Sequence, residues 1–161
     1  SKVELDGMVL TADSARFTGV YYEIERPIGE FSGKHTILFT GTDKKEFKEE
    51  FEFIPFTLFA ELPQKVSRKP FTINLKNFPA RETPVRLVMI DTSFESTDVN
   101  EVLKVVKGEI IITDRMFGKL VNGPIMMELT KEIEKPLRQR TKEGGNLSIT
   151  YTLKREFELT N

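Results

Sequence analysis

Only one histidine, His35, is available for acid-base or metal chemistry in this chain of 161 residues. A Ser-His-Asp triad needs a histidine between two positioned partners, and zinc sites usually take several His or Cys ligands. The sequence contains no cysteine, which excludes thiolate nucleophiles, Cys-ligated zinc and disulfides. His35 begins the apolar run HTILFT, so we predict that it lies at the start of a strand beside a turn, in a structural role.

A second candidate for chemistry is the acidic segment DTSFESTDVNE, which begins at Asp91 and contains Asp98. Carboxylate and amide oxygens are the ligands that calcium prefers, and this segment supplies several of them. Its spacing does not match an EF-hand, and a polar loop after a buried strand has the same composition. Two interpretations therefore stand, an ordinary polar loop and a calcium site with Asp91 and Asp98 as ligands. No other cofactor is predicted.

Four basic residues cluster in the segment KPLRQRTKEGGN, which we predict to be the loop of a long C-terminal hairpin. They are Lys135, Arg138, Arg140 and Lys142. A basic hairpin tip suits the acidic surface of a protein partner or a phosphate group. Glu134 and Glu143 flank the cluster and no aromatic residue is interleaved to stack on bases, so the segment does not favour nucleic acid. The alternative is an ordinary solvated loop.

Other signatures of catalysis are absent from the sequence, which has neither a glycine-rich phosphate loop with its lysine nor a GxSxG motif. Glycoside hydrolysis would need only two facing acids. Here, however, acids such as Glu46, Glu50 and Glu52 alternate with other residues, as on the solvent face of a strand. The 24 basic and 25 acidic residues nearly cancel, so no overall field attracts the chain to nucleic acid or an anionic membrane. We predict a protein that is not an enzyme.

The hydrophobic pattern predicts the elements that would position these residues. From Leu147 to Leu159, apolar and polar residues alternate, as they do from Ile125 to Ile133, which indicates two long strands in a hairpin. The segment FTINLK at Phe71 alternates in the same way, whereas VRLVMI at Val85 is apolar on both faces and predicts a central strand. An earlier strand is predicted from Val20 to Ile28, which Pro27 ends or places at the edge of a sheet. Strand signals at such short intervals are typical of a sandwich or barrel.

The stretch EFKEEFEFIPFTLF, which begins at Glu46, fits either a helix or strands by periodicity. Pro55 decides for two strands, because a proline inside a helix costs about 3 kcal/mol. The apolar positions also change from odd to even numbers at Pro55, which turns the buried face over. We therefore predict a small N-terminal β-unit at residues 1–54 and a second domain at residues 55–161.

One short helix of about two turns is predicted in ITDRMFGKLVNGP. Thr113 or Asp114 would cap its first turn, Met116, Phe117 and Leu120 would share a face, and Gly123 with Pro124 would end it. No apolar run reaches the roughly 20 residues of a transmembrane helix, and the first ten residues lack the layout of a secretory signal.

Residues from about 56 to 161 resemble the bacterial immunoglobulin-like β-sandwich modules of envelope and surface proteins. The resemblance lies in SRKPFTINL, in VRLVMID and in GEIIITDRMFGKLVNGPIMMEL, where a strand, a short helix and a Gly-Pro entry to the next strand follow one another. It implies an all-β, antiparallel immunoglobulin-like sandwich. It further implies an accessory, spacer or binding module that is exported, periplasmic or on the cell surface, within a larger assembly. A cytoplasmic location remains an alternative.

We therefore predict a non-enzymatic interaction or structural module whose partner is a protein. Its rigid strands would present loops or an edge strand to that partner. A first alternative is a binder of a small apolar ligand, because the 13 phenylalanines would also line a cavity between sheets. A second alternative is a carboxylate-dependent glycan hydrolase. The oligomeric state is left open.

Overall fold

The computed structural model describes residues 1–15, 19–79, 83–142 and 144–161. In this part of the chain strands predominate and the two helices have four residues each, which confirms the all-β prediction. Neither helix is long enough to cross a bilayer. Contacts divide the chain into two compact units, unit 1 with Ser1–Pro55 and Glu134–Ser148 and unit 2 with Phe56–Ile133 and Ile149–Asn161.

Unit 1 contains a four-stranded antiparallel sheet in the order β2-β1-β5-β6 and a two-stranded sheet of β3 and β4. Their bounds are β1 Lys2–Leu5, β2 Met8–Leu10, β3 Ala12–Ala15, β4 Gly19–Tyr22, α1 Ile28–Phe31, β5 Gly33–Thr40 and β6 Glu46–Phe53. Asp6 and Gly7 connect β1 to β2, both with positive φ (50° and 81°). Asp-Gly is favoured at such positions in a two-residue hairpin turn.

The predicted strand from Val20 to Ile28 is wrong in its second half. The strand β4 ends at Tyr22, and Pro27 is the N-cap of α1, which begins at Ile28. Proline has no backbone N–H and is tolerated at a helix start, where the first N–H groups have no intrahelical partner. The apolar alternation therefore did not reveal where the extended backbone stops.

Unit 2 is built on a five-stranded sheet in the order β11-β10-β13-β14-β8 and a three-stranded sheet in the order β12-β9-β7. The strand β10 pairs antiparallel with β11 and β13, and β9 pairs antiparallel with β12 and β7, whereas β8 and β14 are parallel. The bounds are β7 Thr57–Leu58, β8 Lys65–Ser67, β9 Phe71–Lys76, β10 Pro84–Asp91, β11 Val99–Lys104, β12 Glu109–Ile112, α2 Asp114–Phe117, β13 Gly123–Thr141 and β14 Gly144–Thr160.

Buried side chains from both sheets of unit 2 form one core cluster. The strand β10 lies between β11 and β13, and its residues Val85, Leu87 and Met89 are fully buried, which confirms the predicted central strand. The two strands predicted from EFKEEFEFIPFTLF are also confirmed as β6 and β7.

The predicted helix is present as α2 but is shorter than expected. The Thr113 side chain accepts a hydrogen bond from the Met116 N–H, as predicted. Met116, Phe117 and Leu120, which were predicted to share a face, are all buried. The helix ends at Gly118, not at Gly123, because glycine in a helix interior costs about 1 kcal/mol relative to alanine.

The C-terminal hairpin is confirmed, but its predicted loop is wrong. The strand β13 continues to Thr141 and β14 begins at Gly144, so only two residues connect them. Gly144 has a φ of 90°, a conformation that glycine adopts without strain. The segment 134–148 belongs to unit 1, although the predicted domain range placed it with the second domain.

Candidate functional site

The loop between β10 and β11 is organised by one buried carboxylate. Asp91, 2% exposed, ends β10. One of its oxygens accepts hydrogen bonds from Ser93 Oγ (2.7 Å) and the Glu95 N–H (3.0 Å), and the other accepts from the Ser96 N–H (2.9 Å) and Ser96 Oγ. The Ser96 hydroxyl, followed by that of Ser93 and the two backbone donors, holds the pKa of Asp91 well below its ordinary value. The carboxylate therefore stays ionised and fixes the loop.

Phe94 projects from this loop into solvent. Its side chain is 81% exposed, and its φ of 56° lies in the left-handed region. The Phe94 N–H donates to the Asp91 carbonyl at 3.2 Å, and the Thr92 N–H donates to the Pro124 carbonyl at 3.1 Å at the base of the loop. A bulky residue in the left-handed region costs about 1–2 kcal/mol, so Asp91 holds Phe94 in a conformation that the residue itself does not favour.

Glu95 and Asp98 give the same loop an acidic character. Both side chains are exposed, and neither has an ionic partner among the described residues. The site therefore consists of one exposed aromatic ring beside two unpaired carboxylates, on a loop that a buried aspartate holds in shape. Such a surface can insert a ring into an apolar pocket whose rim is basic.

The calcium interpretation receives no support from this geometry. Both oxygens of Asp91 already accept two hydrogen bonds each, and Asp98 is exposed. Glu101 is bound by Arg115 (2.9 Å) and Lys119 (3.2 Å). Within the described residues no three His, Cys, Asp or Glu side chains converge as a metal site requires. Calcium binding by Asp91 and Asp98 stays an untested prediction.

Three of the four predicted basic residues do not lie in a loop. Lys135, Arg138 and Arg140 are exposed on β13, and Lys142 follows its end. Because side chains alternate along a strand, Arg138 and Arg140 share a face, whereas Lys135 lies on the other. The Arg138 guanidinium is 3.8 Å from the Glu49 carboxylate. Glu143, expected to flank the cluster, lies outside the described residues.

His35 lies on β5 inside unit 1 and is 8% exposed. Its Nδ1 is 2.7 Å from an Asp6 carboxylate oxygen, its Nε2 is 2.8 Å from the Phe31 carbonyl, and its ring stacks on that of Phe31 at 4.2 Å. Burial lowers the pKa of His35 and is the largest single influence. The hydrogen bonds to Asp6 and Phe31 and the charge of Asp6 together outweigh burial, so the pKa is raised. His35 lies near the start of β5, as predicted, and its structural role stays a prediction.

Lys131 is a buried residue that sequence reasoning did not single out. Its Nζ is 2.5 Å from Thr83 Oγ1 and lies 4.7 Å from the centre of the Phe78 ring. Burial lowers the pKa of Lys131. The alternation of Ile125 to Ile133 places position 131 on the inward face, and this was the available signal. Phe94 gave a weaker signal, a single aromatic residue in the polar run DTSFESTD.

The core of unit 2 contains one small cavity between its sheets, lined among others by Phe71, Phe117 and Phe157. Its volume is about 10 Å³, which is the size of a single water. Pockets for small ligands have volumes of roughly 300–1,000 Å³. This cavity therefore offers no room for the apolar ligand of the alternative prediction.

Comparison of the chain with protein-family models found no match, and comparison with curated proteins and with solved structures found none either.

Proposed function

We propose that this protein is a non-enzymatic interaction module of the immunoglobulin-like sandwich class, and that the Phe94 loop is its contact with a protein partner. The observation that carries this function is Phe94, an 81% exposed ring at a φ of 56° on a loop held by buried Asp91. Backbone strain that the surroundings maintain is often found at functional sites. An exposed polar residue or glycine would satisfy the same turn at a lower energetic cost.

The strand order of unit 2 supports the sandwich class. The strands β7 to β14 can be named in chain order A, A′, B, C, C′, E, F and G. One sheet then contains A, B and E, and the other contains C′, C, F, G and A′. Immunoglobulin-like sandwiches place C, F and G in one sheet and A, B and E in the other, with C′ beside C where it occurs. In these terms the Phe94 loop joins C to C′. Loops at the ends of such sandwiches commonly bind partners.

The energetics of a single rigid ring favour recognition of a protein. Burying an exposed phenylalanine side chain in an apolar pocket contributes about 1.5–3 kcal/mol. Ordering a loop on binding costs about 0.5–1.5 kcal/mol per immobilised side chain, and the bonds to Asp91 have already ordered this loop. The carboxylates of Glu95 and Asp98 disfavour insertion into an anionic membrane. They favour a pocket whose rim carries lysine or arginine.

Photocrosslinking tests this function. A photoreactive phenylalanine analogue at position 94, introduced in cells that naturally make the protein, is expected to crosslink to one discrete protein. Phe59 is a matched control, since it is 76% exposed in the same unit and is not among the residues with positive φ. The same analogue at position 59 is expected to give no such product. Identical products at both positions, or none at position 94, would refute the function.

The remaining expectations stay predictions. The accessory role in an envelope or surface assembly follows from the resemblance alone. Within the described residues nothing favours hydrolysis of glycans over binding. Hydrogen bonds and nearby cations lower the pKa values of six acids, Asp6, Asp43, Glu50, Glu61, Asp91 and Glu101. A raised pKa, as a general acid requires, is seen in none of them.

A further inference from the structure

The strand β6 is the last strand of the four-stranded sheet, and its hydrogen-bonding phase shows which backbone groups point outward. The Gly41 N–H donates to the Lys45 carbonyl at 2.8 Å, and Thr40 lies opposite Glu46 in the next pair. In an antiparallel ladder, hydrogen-bonded and non-hydrogen-bonded pairs alternate. The pair of Thr40 and Glu46 is therefore non-hydrogen-bonded, and so is every second pair after it.

It follows that the backbone N–H and C=O groups of four β6 residues point away from β5. They are those of Glu46, Lys48, Glu50 and Glu52. One independent bond agrees with this phase, because the Lys48 N–H donates to the Gln139 side chain at 3.0 Å and not to β5. The N–H groups of Glu50 and Glu52 have no partner among the described residues.

Part of this edge is covered by the hairpin segment of unit 1. Gln139 reaches Lys48, and the Arg138 N–H donates to a Glu49 carboxylate oxygen at 2.8 Å. These contacts are made by side chains, so no backbone ladder joins the two strands there. Beyond them lies an open cleft of about 380 Å³, lined by residues 49–52 on one side and by residues 135–138 and Leu147 on the other. The outward groups of Glu50 and Glu52 lie along this cleft.

We propose that β6 binds an extended segment of a partner protein by strand addition at Glu50 and Glu52. Donor and acceptor groups repeated at every second residue of a strand match the backbone of another strand. This surface is independent of the Phe94 loop and goes beyond the function proposed above. A chain whose Phe94 binds nothing would still offer this edge.

The charges of β6 specify the side chains of the added segment. On the face of Glu50 and Glu52, β6 has three carboxylates, at positions 46, 50 and 52, and one ammonium, which pairs with Glu50 at 2.7 Å. Glu52 has no ionic partner among the described residues. On the opposite wall Arg138 is already paired with Glu49, which leaves Lys135 as a competing cation there. A second competing cation is Lys34, which lies opposite Glu52 on β5 and whose charge contributes to the lowered pKa of Glu50, after the larger effect of Lys48.

The occupant is therefore a segment in which basic residues alternate with apolar ones, the basic ones beside Glu50 and Glu52 and the apolar ones beside Phe51 and Phe53. A second copy of β6 is a poorer occupant, because antiparallel self-pairing centred between Glu50 and Glu52 would place these two acids opposite each other, and a register centred on Glu50 would place the two copies of that acid opposite each other. The segment 134–148 of the chain itself occupies only the neighbouring part of the edge, and it does so through side chains.

Peptide binding to the full chain tests this inference. The probe is a fluorescent peptide of about eight residues, the length of β6, in which lysine and valine alternate and both ends are blocked. Fluorescence anisotropy should show saturable binding, and amide exchange followed by NMR should slow at Glu50 and Glu52. The amides of Phe51 and Phe53 point toward β5 and should be protected with or without the peptide.

Two controls separate backbone pairing from simple charge attraction. A peptide of the same composition with its lysines in one block should bind about tenfold more weakly, because it keeps the backbone groups but loses the alternation of basic and apolar side chains. An alternating peptide N-methylated at every second residue, on the amides that would face β6, should also bind about tenfold more weakly, because it keeps the side chains and charges but loses the backbone donors. Equal binding of all three peptides would overturn the inference, as would unchanged exchange at Glu50 and Glu52.

Variants of Glu52 provide a second test on the protein side. Glu52→Ala keeps the outward N–H and removes the charge, so about a threefold loss of affinity is expected. Glu52→Pro also removes the outward donor while leaving the ladder to β5 intact, as edge strands tolerate, and about a tenfold further loss is expected. Equal affinities of the two variants would contradict strand addition. If Glu52→Pro does not fold, the N-methylated peptide decides alone.

A Phe94→Ser variant distinguishes the two surfaces. It should bind the alternating peptide with unchanged affinity, whereas the photocrosslinking experiment does not depend on β6. Loss of peptide binding in Phe94→Ser would overturn the assignment of the peptide to β6.

Discussion

The stability of unit 1 should depend on the protonation of His35. Nδ1 faces a carboxylate and Nε2 faces a backbone carbonyl, and both are acceptors. Neutral imidazole has only one N–H, so it can donate to one of them, whereas the doubly protonated ring donates to both. His35 is the only histidine in the chain, so a titration near neutral pH can be assigned to it.

The direction of the pH dependence follows from the two pKa shifts. The pKa of His35 is raised from its ordinary value of 6.5, so its contribution to stability is complete below that value and is lost as pH rises through the higher folded value. The hydrogen bond from His35, followed by that from the Thr36 N–H, lowers the pKa of Asp6 from 3.8. The contribution of Asp6 is complete above 3.8 and is lost as pH falls through the lower folded value. Unit 1 should be most stable between these limits.

The expected loss on deprotonation of His35 is modest. A hydrogen bond to a charged group contributes about 1.5–3 kcal/mol when buried. The His35 side chain is 7% exposed but that of Asp6 is 47% exposed. Solvent screening therefore reduces the contribution of the ion pair to stability to about 1 kcal/mol. The free energy of unfolding should therefore fall by about 1–2 kcal/mol between roughly pH 6 and pH 9.

Urea unfolding followed by circular dichroism measures this change, and NMR titration of the ring locates the folded pKa. Asp6→Asn is the matched variant, because Asn-Gly forms the same turn and the Asn side-chain oxygen can still accept from the Thr36 N–H. This variant should lose most of the pH dependence, and His35→Gln should lose all of it. A wild-type free energy that is constant or rises over this range would refute the reasoning, as would an unchanged fall in Asp6→Asn.

Three further outcomes are expected for unit 2, each measured by urea unfolding. Phe94→Asn should raise the free energy of unfolding by about 1 kcal/mol, since asparagine adopts positive φ more readily. A loss of stability would contradict the conclusion that the Phe94 backbone is strained. Asp91→Ala should lower the free energy of unfolding by about 3 kcal/mol, because the loop donors lose their acceptor. If Asp91 acts by hydrogen bonding, added calcium should change the free energy of unfolding of neither this variant nor the wild type. Leu87→Ala should cost about 2–5 kcal/mol at its fully buried position, whereas Val102→Ala, at a position 61% exposed on the adjacent strand, should cost less than about 1 kcal/mol.

Much of the secondary structure could be predicted because it depends on short-range alternation. The central position of VRLVMI in β10, the two strands on either side of Pro55 and the cap at Thr113 all follow from the pleat, from proline geometry and from hydrogen bonding within one turn. The predictions failed in two opposite ways. At Ile28 the apolar alternation continued past the end of the strand into a short helix. In β13 the strand continued through basic residues whose composition had suggested a loop.

The candidate site was predicted only in part. Asp91 was singled out for its oxygen atoms, but its burial and its four hydrogen bonds depend on the folded conformation of the loop. Phe94 carries no periodic signal, and its positive φ is imposed by bonds to Asp91. Likewise, the backbone groups of Glu50 and Glu52 point outward because β6 pairs with β5 on one side and, within the described residues, with no strand on the other.

The amino-acid sequence by itself determined that this protein is built of strands, that Pro55 separates two of them, and that cysteine and multi-histidine chemistry are excluded. These properties depend on residue types and on neighbours a few positions apart. Tertiary structure alone decided that His35 lies between two acceptors, that Phe94 is held outward, and that one edge of β6 stays open. The surroundings of His35 and the open edge of β6 depend on contacts between residues distant in sequence, and the conformation of Phe94 depends on the burial and bonding of Asp91. Alternation along one strand encodes none of these.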